Sequence, residues 1–483
     1  MRGLILILSC LLFHFFYLTD SFTSNWYPIC VVNQMPKEIP HQIKVLGRKL
    51  VVWYNPSSGN WNVMNDYCSH RNAPLSQGRI DKESNCIECP YHGWTFNEKG
   101  ECTKIPQLEL DVDFQDKILN QNGKTNVKSY ETKLCGQILF ALIDSNNNSK
   151  SPINHDNNNN NNNNNKLVSE LPNLTEPEEI LDGLLHNVTS VSVRDLPYSW
   201  DFLLENFMDP AHIPFAHHEL QGTRDDAVPI PMNILTSLNN DANKLEISFK
   251  DKVGNRERDG VVSFIPPVYY HYRTKKGSGL ADLINLMILC VPISPGRSRA
   301  FVALLPGKKL PFKIPMWVSH GLTNRFLDTD IWVHDQERTS RGVINDYLSE
   351  DEMKPTKYFL PSSSDTGCVL WRKWYERHLA SIPEFRPSKV NELKELSFEE
   401  KFDRSQNINQ CVSCSGALMN MKLIKQKVIP LVLGTLGIVY RSTVARLCFL
   451  LTYLIANTAM SKMIAFVKGP KQGDKTSAAQ LSP

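Results

Sequence analysis

Two short clusters of cysteine and histidine constrain this chain more than any other feature of its sequence. Cys68 stands two residues before His70, and Cys89 stands three residues before His92. Each cluster offers one thiolate and one imidazole, and the pattern predicts that both lie at the tips of hairpins. Zinc also accepts two cysteines and two histidines, but zinc fingers usually group like ligands together. Because each cysteine here is paired with its own histidine, the spacing favours an iron–sulfur cluster over zinc.

The mixed ligand set is that of a Rieske [2Fe–2S] cluster, in which two cysteines hold one iron and two histidines hold the other. Neutral imidazoles carry less charge than thiolates, so such a cluster accepts an electron at a higher potential than an all-cysteine cluster. We therefore assign Cys68, His70, Cys89 and His92 as its ligands. Cys86 then remains as a small buried hydrophobic residue.

A second candidate metal site begins with His212 and His217, which are five residues apart. Two histidines and one carboxylate form the facial triad of non-haem iron(II) oxygenases, which leaves adjacent positions open for O₂ and water. Asp330 is the preferred carboxylate, because it is predicted to open a helix and to face inward. Asp328 and Asp335 are the alternates, and an ordinary helix N-cap is the competing role for Asp330.

Asp209 lies three residues before His212 and is not needed as an iron ligand. A buried carboxylate that is hydrogen-bonded to a cluster histidine and an iron histidine would fix the orientation of both rings. We predict this coupling role for Asp209, against the alternative of a simple turn before Pro210. His218 is not expected to bind iron.

Composition limits the remaining function classes. The 483 residues are 41% hydrophobic and 21% charged, as in globular proteins, and the formal net charge of +3 gives no support for nucleic-acid binding. Twelve cysteines are too few in a chain of this length for a disulfide scaffold. Their pairing with histidines instead indicates metal and redox chemistry.

The order of segments predicts an α+β protein, in which an all-β module precedes an antiparallel sheet covered by helices. Strands are predicted at 43–46, 49–54, 137–143, 244–250, 260–265, 269–274, 286–293 and 299–305. Helices are predicted at 200–208, 317–325, 330–348 and 369–378. The expected segments are a targeting peptide (1–21), the cluster domain (22–145), an Asn-rich disordered insert (146–194), the iron domain (195–405), a connector (406–427), membrane-associated helices (428–465) and a polar tail (466–483).

The tail carries two further features. Cys411 and Cys414 form a Cys-x-x-Cys pair in the connector, and apolar runs follow at 428–440 and 447–460. Each run is shorter than the ~20 residues that cross a bilayer. The runs are compatible with tilted spans, a re-entrant hairpin or an interfacial anchor, and the alternative is a buried helical hairpin.

With both metal motifs in place, the chain resembles the Rieske-type oxygenases and, within them, the plant and algal pheophorbide a oxygenase group. The resemblance includes Trp26-Tyr27-Pro28, the two cluster motifs, the stretch 206–218, Pro292 with Arg297 and Arg299, and Arg372 with Trp374. It implies a Rieske domain followed by a helix-grip catalytic domain, in a homo-oligomer, most simply a trimer. It also implies O₂ as a substrate and reduced ferredoxin as the electron donor.

The same resemblance implies a tetrapyrrole substrate, with pheophorbide a expected first. The alternatives are chlorophyllide or protochlorophyllide, a sterol or other lipid, or a redox-sensing role in a plastid protein-import complex. Within this group Cys411 and Cys414 would be a thioredoxin-switched dithiol, against the alternative of structural thiols. A signal-like N-terminus followed by Phe22 resembles the entry signal of complex algal plastids. We therefore expect attachment to a plastid membrane, the inner envelope or thylakoid, with the endomembrane system as the alternative.

Overall fold

The structure is a computed structural model of the chain. It describes residues 24–108, 118–119, 123–144, 177, 188, 190–236, 244–253, 256–274, 284–306, 314–342, 358–439 and 442–470. The expected targeting peptide, the Asn-rich run at 157–165 and the end of the polar tail lie outside the described residues.

The N-terminal part consists of three small antiparallel sheets. Its strands are β1 (Ser24–Val31), β2 (His41–Val45), β3 (Arg48–Asn55), β4 (Asn60–Asn65), β5 (Arg79–Ile80), β6 (Ile87–Glu88), β7 (Thr95–Phe96), β8 (Cys102–Lys104), β9 (Ser129–Tyr130), β10 (Thr132–Cys135) and β11 (Ile138–Asp144). The strand orders are β1-β11-β10, β2-β3-β4-β9 and β5-β6-β7-β8. The last of these sheets carries the second cysteine–histidine cluster at the β6–β7 turn.

A tight turn between β2 and β3 fixes this part against the rest of the protein. Leu46 and Gly47 both have positive φ (51° and 73°), the conformation that two-residue hairpin turns require. The backbone N–H groups of these two residues donate to the carbonyls of Pro292 (2.9 Å) and Ile293 (2.8 Å). The turn that reverses the chain therefore also joins the two parts.

The second part is built on a seven-stranded antiparallel sheet. Its strands are β12 (Val191–Leu196), β13 (Met232–Thr236), β14 (Leu245–Val253), β15 (Arg256–Ile265), β16 (Tyr269–Thr274), β17 (Ile284–Ser294) and β18 (Arg297–Pro306). Their order is β12-β18-β17-β16-β15-β14-β13, so consecutive strands pair with each other except that β12 joins the far edge beside β18. The sheet begins at Val191, four residues before the expected start of the iron domain.

Helices cover this sheet and continue into the tail. They are α1 (Trp200–Phe207), α2 (Ile213–Ala216), α3 (Met316–Asp328), α4 (Val333–Arg341), α5 (Thr366–His378), α6 (Phe398–Lys401), α7 (Ser405–Gln410), α8 (Val412–Leu423), α9 (Ile429–Val439) and α10 (Thr443–Lys468).

Aromatic packing holds α1 on the sheet. The Trp200 ring contacts Trp371 of α5 at 5.3 Å between centroids, and Trp371 contacts Phe264 of β15 at 5.0 Å. Each such pair contributes roughly 0.5–1.5 kcal/mol beyond its buried area. The Trp200 indole N–H also donates to the Cys290 carbonyl at 2.9 Å. Because α1 leads directly into the His212 motif, this packing positions that motif.

The apolar tail differs from the rest of the chain in its exposure. Leu447, Leu450, Leu451, Leu454 and Ile455 of α10 are all exposed. By length and composition, the segment Arg446–Lys468 of α10 is long and apolar enough to cross a membrane. Among the described residues, it is the one helix that meets both criteria. Where two apolar runs were predicted, the structure has the short α9 and the longer α10.

These findings confirm the predicted α+β class. The helix predicted at 330–348 is corrected, because α4 begins only at Val333 and ends at Arg341, where Gly342 (φ 106°) caps it. Asp330 lies in the turn between α3 and α4, and Trp332 occupies the N-cap position, so Asp330 is not a helix cap. Residues 343–357 lie outside the described residues.

Candidate active site

Two loops present the first group of predicted ligands. The first loop is closed by hydrogen bonds from the Cys68 N–H to the Ala73 carbonyl and from the Asn72 N–H to the Cys68 carbonyl, both 2.8 Å. The second is closed by the Cys89 N–H donating to the Trp94 carbonyl at 2.8 Å. Gly93 in this loop has a φ of 72°, which favours glycine. Backbone hydrogen bonds therefore shape both loops without using the ligand side chains.

The four side chains divide into a buried pair and an outer pair. Cys68 and Cys89 are buried, His92 is partly buried and His70 is exposed. The two imidazole rings lie 4.6 Å apart, and the His70 ring also stacks on Trp94 at 4.7 Å. This arrangement fits a Rieske cluster, because the cysteine-bound iron would be buried while the histidine-bound iron faces the surface.

The second group begins where α1 is forced to end. Asp209 precedes Pro210, and a residue before proline is disfavoured in the helical conformation. Asp209 is accordingly extended (φ −106°, ψ 97°), and its side chain caps the following turn by accepting from the Ala211 N–H at 2.8 Å. The chain then turns through a 3₁₀ segment and α2, which places His212 and His217 beside each other with ring centroids 5.2 Å apart.

Hydrogen bonds set the tautomers of both rings. The His212 Nδ1–H donates to the Asp209 carbonyl, and the His217 Nδ1–H donates to the Thr329 hydroxyl at 2.7 Å. The Thr329 hydroxyl itself donates to the Phe326 carbonyl at 2.6 Å, so it is free to accept from the ring. Both histidines therefore keep their lone pairs on Nε2, the nitrogen available to a metal.

Asp330 is the third residue of this candidate metal group. Its carboxylate is fully buried, and neither oxygen has a well-aligned hydrogen-bond partner among the described residues, although the nearby Asn206 side chain acts to lower its pKa. The unprotonated Nε2 of His217 lies 3.5 Å from the Asp330 Oδ2, so this contact is not a hydrogen bond. One ligand atom each from His212, His217 and Asp330 lies within 4.8 Å of the others. A buried carboxylate without partners is costly unless a cation binds there.

Burial also sets the protonation of these ligands. Desolvation lowers the pKa of His217 to about 2, with the neighbouring His212 as a smaller cause, so the ring is neutral near pH 7. Desolvation raises the pKa of Asp330 to about 6, which leaves the carboxylate mostly ionised at pH 7. Two neutral imidazoles and one carboxylate are the ligand set that iron(II) takes in a facial triad. The residues thus fit a mononuclear iron.

The other predicted carboxylates have different surroundings. Asp328 is buried in ion pairs with Arg194 at 3.3 Å and with Arg404. Asp335 is paired with Lys401 at 2.7 Å. Both alternates therefore already have cationic partners, which distinguishes them from Asp330.

Asp209 lies at the outer side of the iron group. One carboxylate oxygen is 3.9 Å from the His212 Nδ1, and the side chain is 31% exposed. Burial raises the pKa of Asp209 despite that partial exposure. Within this single chain the carboxylate is thus close to one iron ligand and also reaches the surface. His218 is not among the three clustered ligands.

Cys411 and Cys414 meet a histidine that the sequence analysis did not select. The His320 Nδ1 lies 3.2 Å from the Cys414 Sγ and 3.7 Å from the Cys411 Sγ. All three side chains are buried. Hydrogen bonds from Cys414 and then from His320 lower the pKa of the Cys411 thiol.

Comparisons with known proteins agree with this site. A sequence profile of the Rieske [2Fe-2S] domain matches residues 25–130, and a profile of pheophorbide a oxygenase matches residues 264–342, which include Asp330. The chain is 30% identical over 415 residues to the chloroplastic pheophorbide a oxygenase of Oryza sativa subsp. japonica, covering 81% of this chain and 72% of the relative. This chain belongs to the pheophorbide a oxygenase family of Rieske oxygenases.

Two further proteins are similar to this oxygenase, one in sequence and one in structure. It is 29% identical over 437 residues to protochlorophyllide-dependent translocon component 52 of Arabidopsis thaliana, covering 82% of this chain and 73% of the relative. A crystal structure of dicamba monooxygenase bound to dicamba superimposes with a TM-score of 0.51 at 15% identity, covering 74% of this chain and 98% of that one. The latter similarity shows the shared fold. The family membership confirms that the protein is an oxygenase with a [2Fe–2S] cluster and a mononuclear non-haem iron.

The sequence analysis of this oxygenase did not select three residues that lie beside the candidate ligands or beside the Cys-x-x-Cys pair. They are Thr329, Phe326 and His320. Thr329 orients His217, and Phe326 stacks on the His217 ring at 3.7 Å. Thr329 adjoins Asp330 in sequence, so a search for hydroxyl groups next to the ligands would have found it. His320 carries no such signal, because 91 residues separate it from Cys411.

A cavity of about 340 Å³ borders the loop that carries His212. Its wall is mostly apolar and includes Pro214, Phe215 and Val228. The charged residues of its described lining are Lys252, Asp226 and Asp251. Tyr269, Tyr270 and Tyr272 of β16 are not among its lining residues and are buried in the sheet.

Proposed function

We propose that this oxygenase acts on a chlorophyll-derived tetrapyrrole, most specifically that it opens the macrocycle of pheophorbide a by oxygenation. The observation that carries the proposal is the similarity to the rice enzyme, which is 30% identical and extends over 81% of this chain. The second candidate is oxygenation of chlorophyllide or protochlorophyllide, which the name of the Arabidopsis translocon component favours.

The site residues have distinct roles in this proposal. When bound, the cluster supplies single electrons from reduced ferredoxin and the iron supplies O₂ activation. Cys68, Cys89, His70 and His92 hold the cluster, while His212, His217 and Asp330 hold the iron. The Thr329 hydroxyl keeps the proton of His217 on Nδ1, so that Nε2 stays free. Because His217 and Asp330 are buried, bulk water is excluded from their side of the iron site.

Asp209 is proposed to couple the two centres across a subunit interface. Its carboxylate lies beside His212 and is partly exposed, so a cluster histidine of a neighbouring copy can approach it. A carboxylate that accepts from two imidazoles fixes both rings. This role supports a homo-oligomer, most simply a trimer, in which each cluster serves the iron of the next subunit.

The substrate class suits the surfaces near the site. Pheophorbide a is a flat apolar macrocycle, and the cavity beside the His212 loop has a mostly apolar wall. The exposed apolar residues of α10 support attachment to a membrane, where such a substrate dissolves. The chloroplastic relatives support a plastid membrane as the location. Delivery to a complex plastid through the N-terminal 21 residues is part of the same proposal.

The test is anaerobic purification followed by turnover. We expect a Rieske signal in low-temperature electron paramagnetic resonance (EPR) spectra, one additional iron per chain, and consumption of pheophorbide a with reduced ferredoxin and O₂. Chlorophyllide and protochlorophyllide are supplied in parallel. The variant Cys68→Ser, which removes a cluster ligand, is the control for electron supply.

Consumption of pheophorbide a alone establishes the first candidate, and consumption of chlorophyllide or protochlorophyllide alone establishes the second. If both metal centres are present and no tetrapyrrole stimulates O₂ uptake, the tetrapyrrole proposal is wrong. A sterol or lipid substrate would then replace it. A cluster without the mononuclear iron would instead favour a redox-sensing role.

A further inference from the structure

A further group of soft metal ligands, separate from the two ligand sets described above, lies where α3 and the start of α8 pack together. His320 lies on α3, Cys411 lies at the N-cap of α8, and Cys414 lies in the first turn of α8. One ligand atom from each residue lies within 4.8 Å of the others, and all three residues are buried. We propose that His320, Cys411 and Cys414 bind a Zn²⁺ ion that fastens the connector to the catalytic domain.

The distances match a tetrahedral zinc site. Bond lengths of about 2.3 Å to sulfur and about 2.0–2.1 Å to nitrogen place neighbouring ligand atoms roughly 3.5 Å apart around a tetrahedral ion. The His320 Nδ1 lies 3.2 Å from one sulfur and 3.7 Å from the other. Both thiols thus face the same nitrogen at separations that bracket the required value.

Room for a fourth ligand adjoins the group. A cavity of about 30 Å³ is lined by Cys414 and His320 together with Gln34 and Asn324. A water molecule needs about 10–15 Å³ and two to four polar partners, so one water fits there. Two thiolates, one imidazole and one water complete four-coordination.

The other nitrogen of His320 is also held. Its Nε2 lies 3.3 Å from the Gln34 side-chain amide, which in turn donates to the Val191 carbonyl at 2.5 Å. Metal-ligating histidines usually donate their second N–H to such a group. Zinc binding through Nδ1 would leave the ring proton on Nε2, and the Gln34 amide oxygen could accept it only if the amide rotates and gives up its hydrogen bond to Val191.

Binding requires no oxidant or reductant. Each cysteine loses its S–H proton to solvent, His320 binds in the neutral form, and Zn²⁺ accepts one lone pair from each ligand atom. The alternative, a Cys411–Cys414 disulfide, does require an oxidant, because its formation removes two electrons and two protons from the two thiols. The two possibilities therefore leave different products on the same sulfur atoms.

The position of His320 and Cys414 on two different helices gives the proposed zinc a structural role. His320 is on the helix that later carries Phe326, which stacks on His217, and that helix leads to Thr329 and Asp330. Cys414 is on the helix that leads into the apolar tail. Zinc at this point would join the element that supports the iron to the element that supports membrane attachment.

The experiment measures zinc in the full-length chain, purified in detergent under reducing conditions from zinc-supplemented cells. We expect about one zinc per chain in addition to the irons, with absorption fine structure showing two sulfurs at about 2.3 Å. His320→Ala and Cys414→Ser should each lose most of the zinc. Cys448→Ser, at an exposed cysteine outside the group, is the matched control and should retain it.

Iron content and the Rieske EPR signal are recorded for every variant, so a misfolded variant is recognised by the loss of both. The proposal is overturned if the wild-type chain lacks zinc and mass spectrometry finds free thiols or a Cys411–Cys414 disulfide. It is also overturned if the zinc shows no sulfur ligands, or if the two site variants retain it fully. None of these readouts depends on the substrate, so this test stands apart from the turnover test.

Discussion

Replacing Asp330 by asparagine should stabilise the iron-free protein while it removes the iron. The wild-type carboxylate is fully buried without a well-aligned hydrogen-bond partner among the described residues, and burial raises its pKa from 3.8 to about 6. Asparagine has the same shape and no charge, and its amide N–H can donate to the lone pair of the His217 Nε2. The variant therefore removes an uncompensated charge and loses the anionic ligand.

The magnitude follows from the pKa. A rise from 3.8 to about 6 corresponds to about 3 kcal/mol at pH 8, where the folded iron-free protein must carry the charge. The pKa of the folded state is raised, so the penalty is present above it and is lost as the pH falls through about 6 to 4. By the same relation, the advantage of the variant shrinks to roughly half at pH 5. The lowered pKa of His217 affects both proteins equally and cancels in the comparison.

Thermal unfolding of the iron-free proteins measures this difference. For a domain of about 200 residues, 3 kcal/mol corresponds to a rise in Tm of about 6–12 °C at pH 8. Adding Fe²⁺ should then raise the Tm of the wild type and leave that of Asp330→Asn unchanged. Asp335→Asn, which alters an exposed carboxylate, should behave like the wild type. A lower Tm for iron-free Asp330→Asn than for wild type at pH 8 would refute the reasoning, because it would mean that the carboxylate has a stabilising partner.

Three further variants test individual contacts. Thr329→Val removes the hydroxyl that accepts from His217 Nδ1 and should weaken Fe²⁺ binding about 10–100-fold in a metal titration; unchanged affinity would contradict the orienting role. Asp209→Asn keeps the oxygen that caps the following turn but loses the negative charge, so iron and cluster contents should stay normal while turnover falls about 10–100-fold. Normal turnover of that variant would remove Asp209 from the electron path. Leu454→Arg in the middle of α10 should cost about 3 kcal/mol of membrane affinity, or on the order of 100-fold in vesicle partitioning, whereas Val444→Arg at the helix start should have little effect.

Local sequence determined the parts of the site that lie close together in the chain. The pairs Cys68 with His70 and Cys89 with His92 are each contained in one turn, so their spacing alone identifies the chemistry. His212 and His217 follow a helix that Pro210 ends, which also fixes their neighbourhood locally. Five of the seven strands of the large sheet, β14 to β18, were likewise predicted, because hydrophobic alternation and turn residues repeat along neighbouring segments of the chain. The strands β12 and β13 were not predicted.

Only the tertiary structure distinguished among the three candidate carboxylates. The sequence around Asp328, Asp330 and Asp335 does not distinguish them. Their surroundings differ because Arg194 and Arg404 pair with Asp328 and Lys401 pairs with Asp335, whereas Asp330 has no lysine or arginine partner among the described residues. These partners come from distant segments, so their placement depends on packing that no local pattern encodes.

The same reason explains the group in the connector. The Cys-x-x-Cys pair was evident from its spacing, whereas His320 joins it only because α3 and α8 pack together across 91 residues of chain. Sequence thus determines which ligands are available within a turn, since local backbone geometry is set by neighbouring residues. Folding decides which distant side chains share one buried volume and what charge each of them meets there.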